Sequence, residues 1–171
     1  PRGTPYNTVY SRYVVENEER NRIVTNHAAS MVKRRRPVLV LVRHIRHGNI
    51  LQDMLSEEIG LRVPFISGKD PAFVRKKTID DMRQGRSGVM IASTIADEGL
   101  DIKPLQGLIL AGGGKSSVKA LQRVGRTLRP FKGKYSAEII DFNDNAKWLI
   151  KHSLARVRLY ETEPDWVVLD V

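Results

Sequence analysis

The run Val38–Val42, VLVLV, has no polar residue in five positions. A strand with one wet face alternates apolar and polar side chains, so an unbroken run of valine and leucine fits a strand covered on both faces. Further apolar runs fall at 63–66, 89–92, 108–110 and 137–142. Between and after them, helical spacing is found near 49–59, 72–84 and 118–128, and again over a closing segment at 145–160. Ahead of the first run, residues 6–15 alternate β-branched and apolar side chains and predict a strand. Asn17 followed by Glu18 and Glu19 then offers an N-cap and an acidic first turn. The helix so begun places Ile23, Val24, His27, Ala28, Met31 and Val32 on one stripe, ends in the basic tetrad Lys33, Arg34, Arg35 and Arg36, and stops at Pro37. Strands alternating with helices predict an α/β fold, a parallel sheet with helices on both faces. Its 171 residues suffice for one well-buried core, so residues 1–171 read as a single domain, with a core at about 37–142 and a C-terminal helical extension at about 145–160.

Sheets of this kind bind ligands at the carboxyl ends of their strands, which directs attention to the loops after Val42, Ile66, Ala92 and Leu110. The net charge of +10 predicts attraction to polyanions, and the charge is unevenly spread. No Asp or Glu occurs between Glu19 and Asp53, nor between Asp101 and Glu138. The first window holds Lys33 to Arg36, Arg43 and Arg46; the second holds Lys115, Lys119, Arg123, Arg126, Arg129, Lys132 and Lys134. Both are candidate phosphate-facing surfaces. The chain has no cysteine, which removes disulfides and thiolate metal sites, and His27, His44, His47 and His152 lack partners at metal-ligand spacing, so no metal site is expected. No apolar run approaches the roughly 18 residues of a membrane span, and the start has no signal-peptide pattern, so a cytoplasmic protein with no membrane partner is expected.

Two strings carry chemistry. In QRVGRTLR, on the helix expected at 118–128, Arg123, Arg126 and Arg129 recur every three residues and lie broadly along one helix side, beside Gln122 and Gly125. Guanidinium groups stay charged and fork across phosphate oxygens, which suits stabilising a transferring phosphoryl group; a basic surface helix would carry the same residues. After the run at 89–92 come Thr94, Glu98, Gly99, Leu100, Asp101 and Ile102. A hydroxyl at a strand end can bond a phosphate and a carboxylate further on can accept from ribose hydroxyls, although a solvated turn would use the same residues.

In kind and in order, these strings resemble motifs V and VI of superfamily 2 helicases. VLVLVRH, from Val38 to His44, resembles motif IV, and FISG, from Phe65 to Gly68, resembles the next nucleic-acid loop of that fold. The tail KHSLARVRLYETE is similar to the end of phage helicases of the UvsW type. The resemblance implies a RecA-like C-terminal helicase domain of an ATP-dependent DNA helicase or branch-remodelling translocase. Arg126 and Arg129 would be arginine fingers on the γ-phosphate, and Gly99, Asp101 and Gln122 would meet ATP. Arg43, His44, Ser67, Gly68, Thr94, Lys115 and Ser116 would follow a nucleic-acid backbone. Gln122 stands where DEAD-box RNA helicases open motif VI with histidine, which favours DNA, including branched DNA or single/double-strand junctions, as the partner.

The string AGGGKSS at 111–117 imitates a P-loop, but that pattern needs a glycine where this chain has Ile109. With neither a P-loop nor an acidic box of the helicase type, ATP and its Mg²⁺ are expected to be held mainly by an N-terminal RecA-like domain, and the isolated chain is expected to be inactive. A stand-alone basic nucleic-acid-binding module and the motor subunit of a restriction system are the alternative readings.

Overall fold

Every residue of β1 (Val38–Val42) is buried, as its composition predicts. The computed structural model describes residues 5–93, 102–113, 136–163 and 166–169. Among these, β1 is the middle strand of a five-stranded parallel sheet with β2 (Phe65–Ile66), β3 (Val89–Ser93), β4 (Gly107–Ile109) and β5 (Glu138–Ile140), in the order β2-β3-β1-β4-β5. Alternate residues serve opposite faces. Leu39 and Leu41 join Met90, Ala92, Leu108 and Leu110 against Ile79 and Met82 of α4 (Ala72–Arg83) and Tyr160 of α5 (Leu149–Tyr160). Val38, Val40 and Val42 join Val89, Ile91 and Ile109 against Val24, Ala28 and Met31 of α2 (Glu18–Lys33) and Leu51 and Leu55 of α3 (Ile45–Ile59). Helices therefore cover both faces.

The cap expected at Asn17 forms, its side chain accepting from the Arg20 N–H at 3.0 Å. Residues 6–15, expected as a strand, are instead helical: α1 (Tyr6–Tyr10) runs into a π-helical turn, Ser11–Val15. Val9 and Val14, and likewise Tyr10 and Val15, are five residues apart, and all four are buried in one cluster with Leu149. An α-helix would swing residues five apart well round its axis; the wider turn brings them back to one side. The inward stripe of α2 also differs from the expected one. Ile23 and His27 are exposed, whereas Arg20, Asn21 and Thr25 are buried with Val24, Ala28, Ala29 and Met31. Helix α3 starts at Ile45 rather than 49 and so takes in Gly48, where a methyl group would fall 2.2 Å from the Phe65 ring. Gly60 closes that helix in the left-handed conformation, at φ 70°. The run at 63–66 yields a two-residue strand, and α5 begins at Leu149, later than expected. The helix expected at 118–128 lies outside the described residues.

The tail residues act as a clasp. Arg156 Nε and Tyr160 Oη both donate to Asp141 Oδ2 at 2.6 Å, and Arg156 Nη2 donates to the Phe142 carbonyl, so α5 is pinned to the segment after β5. Among the described residues no helix is long and apolar enough to cross a membrane.

Candidate nucleic-acid interface

Strand register sets the carboxyl edge of the sheet. Leu41 pairs with Ala92, which pairs with Ile66, so the next residues, Val42, Ser93 and Ser67, reach the edge on one level. Arg43 and Gly68 follow, two strand spacings apart, about 10 Å. Arg43, His44, Ser67 and Gly68 thus stand on one edge. Gly113, the last described residue before Lys115 and Ser116, is on it too, because the Gly112 N–H donates to the Leu41 carbonyl at 2.8 Å. Thr94, Gly99, Asp101, Lys115, Ser116, Gln122, Arg126 and Arg129 lie outside the described residues.

The chain leaves β1 towards one side of the sheet and β4 towards the other, which makes the crevice between their carboxyl ends the usual ligand position of such a fold. Here the chain itself fills it. Tyr10 is buried there, its ring 4.7 Å from that of His44, and its hydroxyl donates to the Gly112 carbonyl. Burial pushes that hydroxyl's pKa up, so Tyr10 remains a donor. A methyl group on Gly112 would sit 2.7 Å from the Arg43 nitrogen, so close approach to β1 accounts for this glycine of the AGGG run. Behind it, Arg20 and Asp144, 6% and 7% exposed, form an ion pair at 2.7 Å. Arg20 Nη1 also donates to the Ala111 carbonyl at 2.7 Å, and its guanidinium lies 4.3 Å from the centre of the Phe142 ring. This lock joins α2, the loop after β4 and the segment after β5.

Arg43 is exposed at this edge with no acidic partner among the described residues; Nη1 donates to Tyr6 Oη, and the guanidinium lies over the Tyr6 and Tyr10 rings at 5.6 and 5.5 Å. His44 is half-buried, and burial first, then Arg43, holds its pKa below the usual value. It is therefore neutral at pH 7, a hydrogen-bonding group beside a cation. Ser67 is buried, with its N–H and hydroxyl both donating to Asp70 Oδ2, at 2.6 and 2.9 Å. Its side chain shapes the turn, and Gly68 and Lys69 are the exposed residues there.

The basic tetrad stands elsewhere. It ends α2, at the amino ends of the strands, where Lys33 pairs with Glu58 and Arg34 and Arg36 pair with Glu138. The first basic window is thus split between the two edges of the sheet: the tetrad is turned away from Arg43, and Arg46, in the first turn of α3 beside it, pairs with Glu16. Tyr6, Tyr10, Arg20 and Asp144, which shape the site, were not singled out by sequence. Tyr6 and Tyr10 one helical turn apart, and an arginine just inside a capped helix, were the available signals. Among the described residues no cluster of three or more His, Cys, Asp or Glu could hold a metal ion.

A central parallel sheet with this strand order, covered by helices on both faces, is the fold of RecA-like helicase domains. The chain belongs to the helicase conserved C-terminal domain family, which matches residues 18–130. It is 32% identical over 132 residues to "Putative helicase 22" of Sulfolobus islandicus filamentous virus, covering 77% of this chain and 23% of that protein. It is 25% identical over 162 residues to the ATP-dependent DNA helicase uvsW of Enterobacteria phage T4, covering 85% of this chain and 32% of that one. The crystal structure of T4 UvsW superposes with a TM-score of 0.75 at 23% identity, over 94% of this chain and 35% of that one. Domain 2 of the DEAD-box helicase Mss116p gives a TM-score of 0.64 at 18% identity, over 89% and 58%. The last two likenesses establish the fold. The chain spans about a quarter to a third of the length of the two relatives.

Proposed function

We propose that this chain is the C-terminal motor domain of an ATP-dependent DNA helicase or branch-remodelling translocase. The observation that carries the reading is the shared level at which β1, β3 and β2 end, which gathers Arg43, His44 and Gly68 on one edge, with Thr94 next after Ser93 in the chain. A phosphate backbone laid along that edge meets a cation, a neutral imidazole and backbone N–H groups but no base-reading set, so binding is general rather than sequence-specific. Lys115 and Ser116 extend the same track. The names of the T4 relative and of the other DNA helicases it resembles support DNA as the polymer; branched DNA or strand junctions are the form proposed for it.

ATP with Mg²⁺ is held mainly by an N-terminal RecA-like domain, because Tyr10 takes up the crevice where this sheet would cradle phosphates itself. Bound there, it supplies the phosphoryl group that is hydrolysed. Gly99, Asp101 and Gln122 meet it from this side, and Arg126 and Arg129 stabilise charge on the γ-phosphate. Planar guanidinium groups do so by forking across the oxygens. Alone, the chain does not hydrolyse ATP.

The test uses the complete protein. Arg126→Ala and Arg129→Ala should each lower DNA-stimulated ATP hydrolysis by about a thousandfold or more while leaving DNA affinity nearly unchanged. Arg43→Ala should do the reverse. Near-normal turnover with lost DNA affinity in the Arg126 and Arg129 variants would move both to the nucleic-acid track, as in a stand-alone basic binding module.

A further inference from the structure

We propose that Phe73, flanked by Lys69 and Lys76, is a platform on which an unpaired base of the bound strand stacks; the proposal rests on the nucleic-acid reading above. Phe73 is 74% exposed, in the first turn of α4. No aromatic ring or cation lies against it among the described residues. Tyr13, by contrast, is 44% exposed and has Arg12 over its ring. A lone exposed apolar side chain is common on protein surfaces and by itself means nothing. What distinguishes Phe73 is its surroundings.

Lys76 is three residues further along the same helix and hence beside Phe73; Lys69 precedes it in the turn that leads into α4. Both are exposed, and neither side chain makes an ion pair among the described residues. The described acids of the region are occupied. Asp70 accepts from the N–H and hydroxyl of Ser67, Asp80 pairs with Arg83, and Asp81 pairs with Lys77 and Arg86. The Arg75 guanidinium donates to the Asp70 carbonyl, tying the turn to the helix, so Lys69 and Phe73 are held in a fixed relation. Gly68, next to Lys69, ends on the same edge as Arg43. A strand following that edge carries phosphates past Gly68 and Lys69 and presents its next base to Phe73. A nucleotide is the ligand that matches an aromatic face beside two ammonium groups that pair with no described acid, because it brings a flat π-surface and a phosphate together. Stacking of this kind is indifferent to base identity, as backbone-tracking binding requires.

The experiment is a titration of the 171-residue chain with a single-stranded oligodeoxynucleotide carrying 2-aminopurine, whose fluorescence falls when it stacks. The parent chain should quench the probe. Phe73→Ala and Phe73→Leu should both weaken binding about tenfold and abolish the quench, whereas Phe73→Trp should keep both. Arg43→Ala should weaken binding yet retain the quench at saturation. Phe73 is exposed enough that these substitutions leave the fold intact, which circular dichroism checks. Parent-like binding and quench in Phe73→Ala, with Arg43→Ala still weakened, would overturn the platform and leave the nucleic-acid edge standing. Parent-like behaviour of Phe73→Leu alone would mark a plain apolar contact, as in protein docking, and would also overturn it. Absence of binding by the parent chain would overturn the edge and the platform together.

Discussion

His47 is fully buried and its Nε2–H donates to Asn21 Oδ1 at 2.8 Å, while Asn21 Nδ2 donates to the Val15 carbonyl at 2.9 Å. The amide orientation fixes the imidazole as the neutral Nε2–H tautomer, and Nδ1 has no partner among the described residues. Burial, then Arg20 and His44, pushes the pKa of His47 down to about 3. The unfolded chain binds that proton near the ordinary histidine value of about 6.5, so below it the unfolded state holds more protons than the folded one. Stability is therefore intact above pH 6.5 and falls with acid by about 1.4 kcal/mol per pH unit down to the folded value. Urea titrations of the parent and of His47→Gln, run between about pH 6 and pH 4, isolate this contribution because shared carboxylates cancel in the difference. The variant should show the shallower decline; identical declines would mean that His47 protonates freely in the folded chain. None of this was legible from sequence, where His47 stood only as a histidine without metal-ligand spacing. Arg20 and Ser67 were equally opaque, since their partners Asp144 and Asp70 are supplied by the fold and by a local turn.

Elements are governed by periodicity, and there the sequence was informative wherever both faces of a segment agreed. The apolar runs at 38–42 and 89–92 became β1 and β3 with little change of boundary, because every side chain in them is apolar and buried and the run's ends mark the strand's ends. Residues 6–15 failed for a reason of period: their valines, tyrosines and threonine suit a strand by type, but the spacings of four and five suit a helix with one π turn, which packs them together against Leu149. Helix α2 was recognised but rotated, since Arg20, Asn21 and Thr25 face inward and an apolar stripe does not count them. That difference is measurable. Ile91 is fully buried in β3, in register with Val40 and Phe65, so Ile91→Ala should cost about 2 to 5 kcal/mol. Ile23, on the stripe expected from spacing, is 42% exposed, and Ile23→Ala should change stability by less than about 0.5 kcal/mol. Equal costs in denaturant unfolding would return Ile23 to the core and undo the rotation of α2.

For the whole molecule, composition gives the sign of the charge and the fold decides where it acts. A net charge of +10 and two acid-free windows pointed to a polyanion, but sequence distance hid that Glu58 and Glu138 meet the tetrad at the amino edge. Arg43, at the carboxyl edge, has a hydroxyl and two rings for company and, among the described residues, no carboxylate. Each lysine or arginine that neutralises a phosphate releases condensed counterions, so affinity falls with salt in proportion to the phosphates contacted. The chain should therefore bind single- and double-stranded DNA of any sequence with a steep loss of affinity as salt rises. Arg43→Ala should weaken binding to all sequences about equally and flatten the plot of log affinity against log salt by about 0.7 on single strands and 0.9 on duplex. Arg36→Ala removes a cation already paired with Glu138 on the opposite edge and should leave that slope unchanged. Filter-binding or anisotropy titrations across a salt series separate the two edges directly. A flattened slope for Arg36→Ala with an unaltered one for Arg43→Ala would put the nucleic acid at the amino ends of the strands, and a sequence-dependent loss for Arg43→Ala would make it a base reader instead of a phosphate contact.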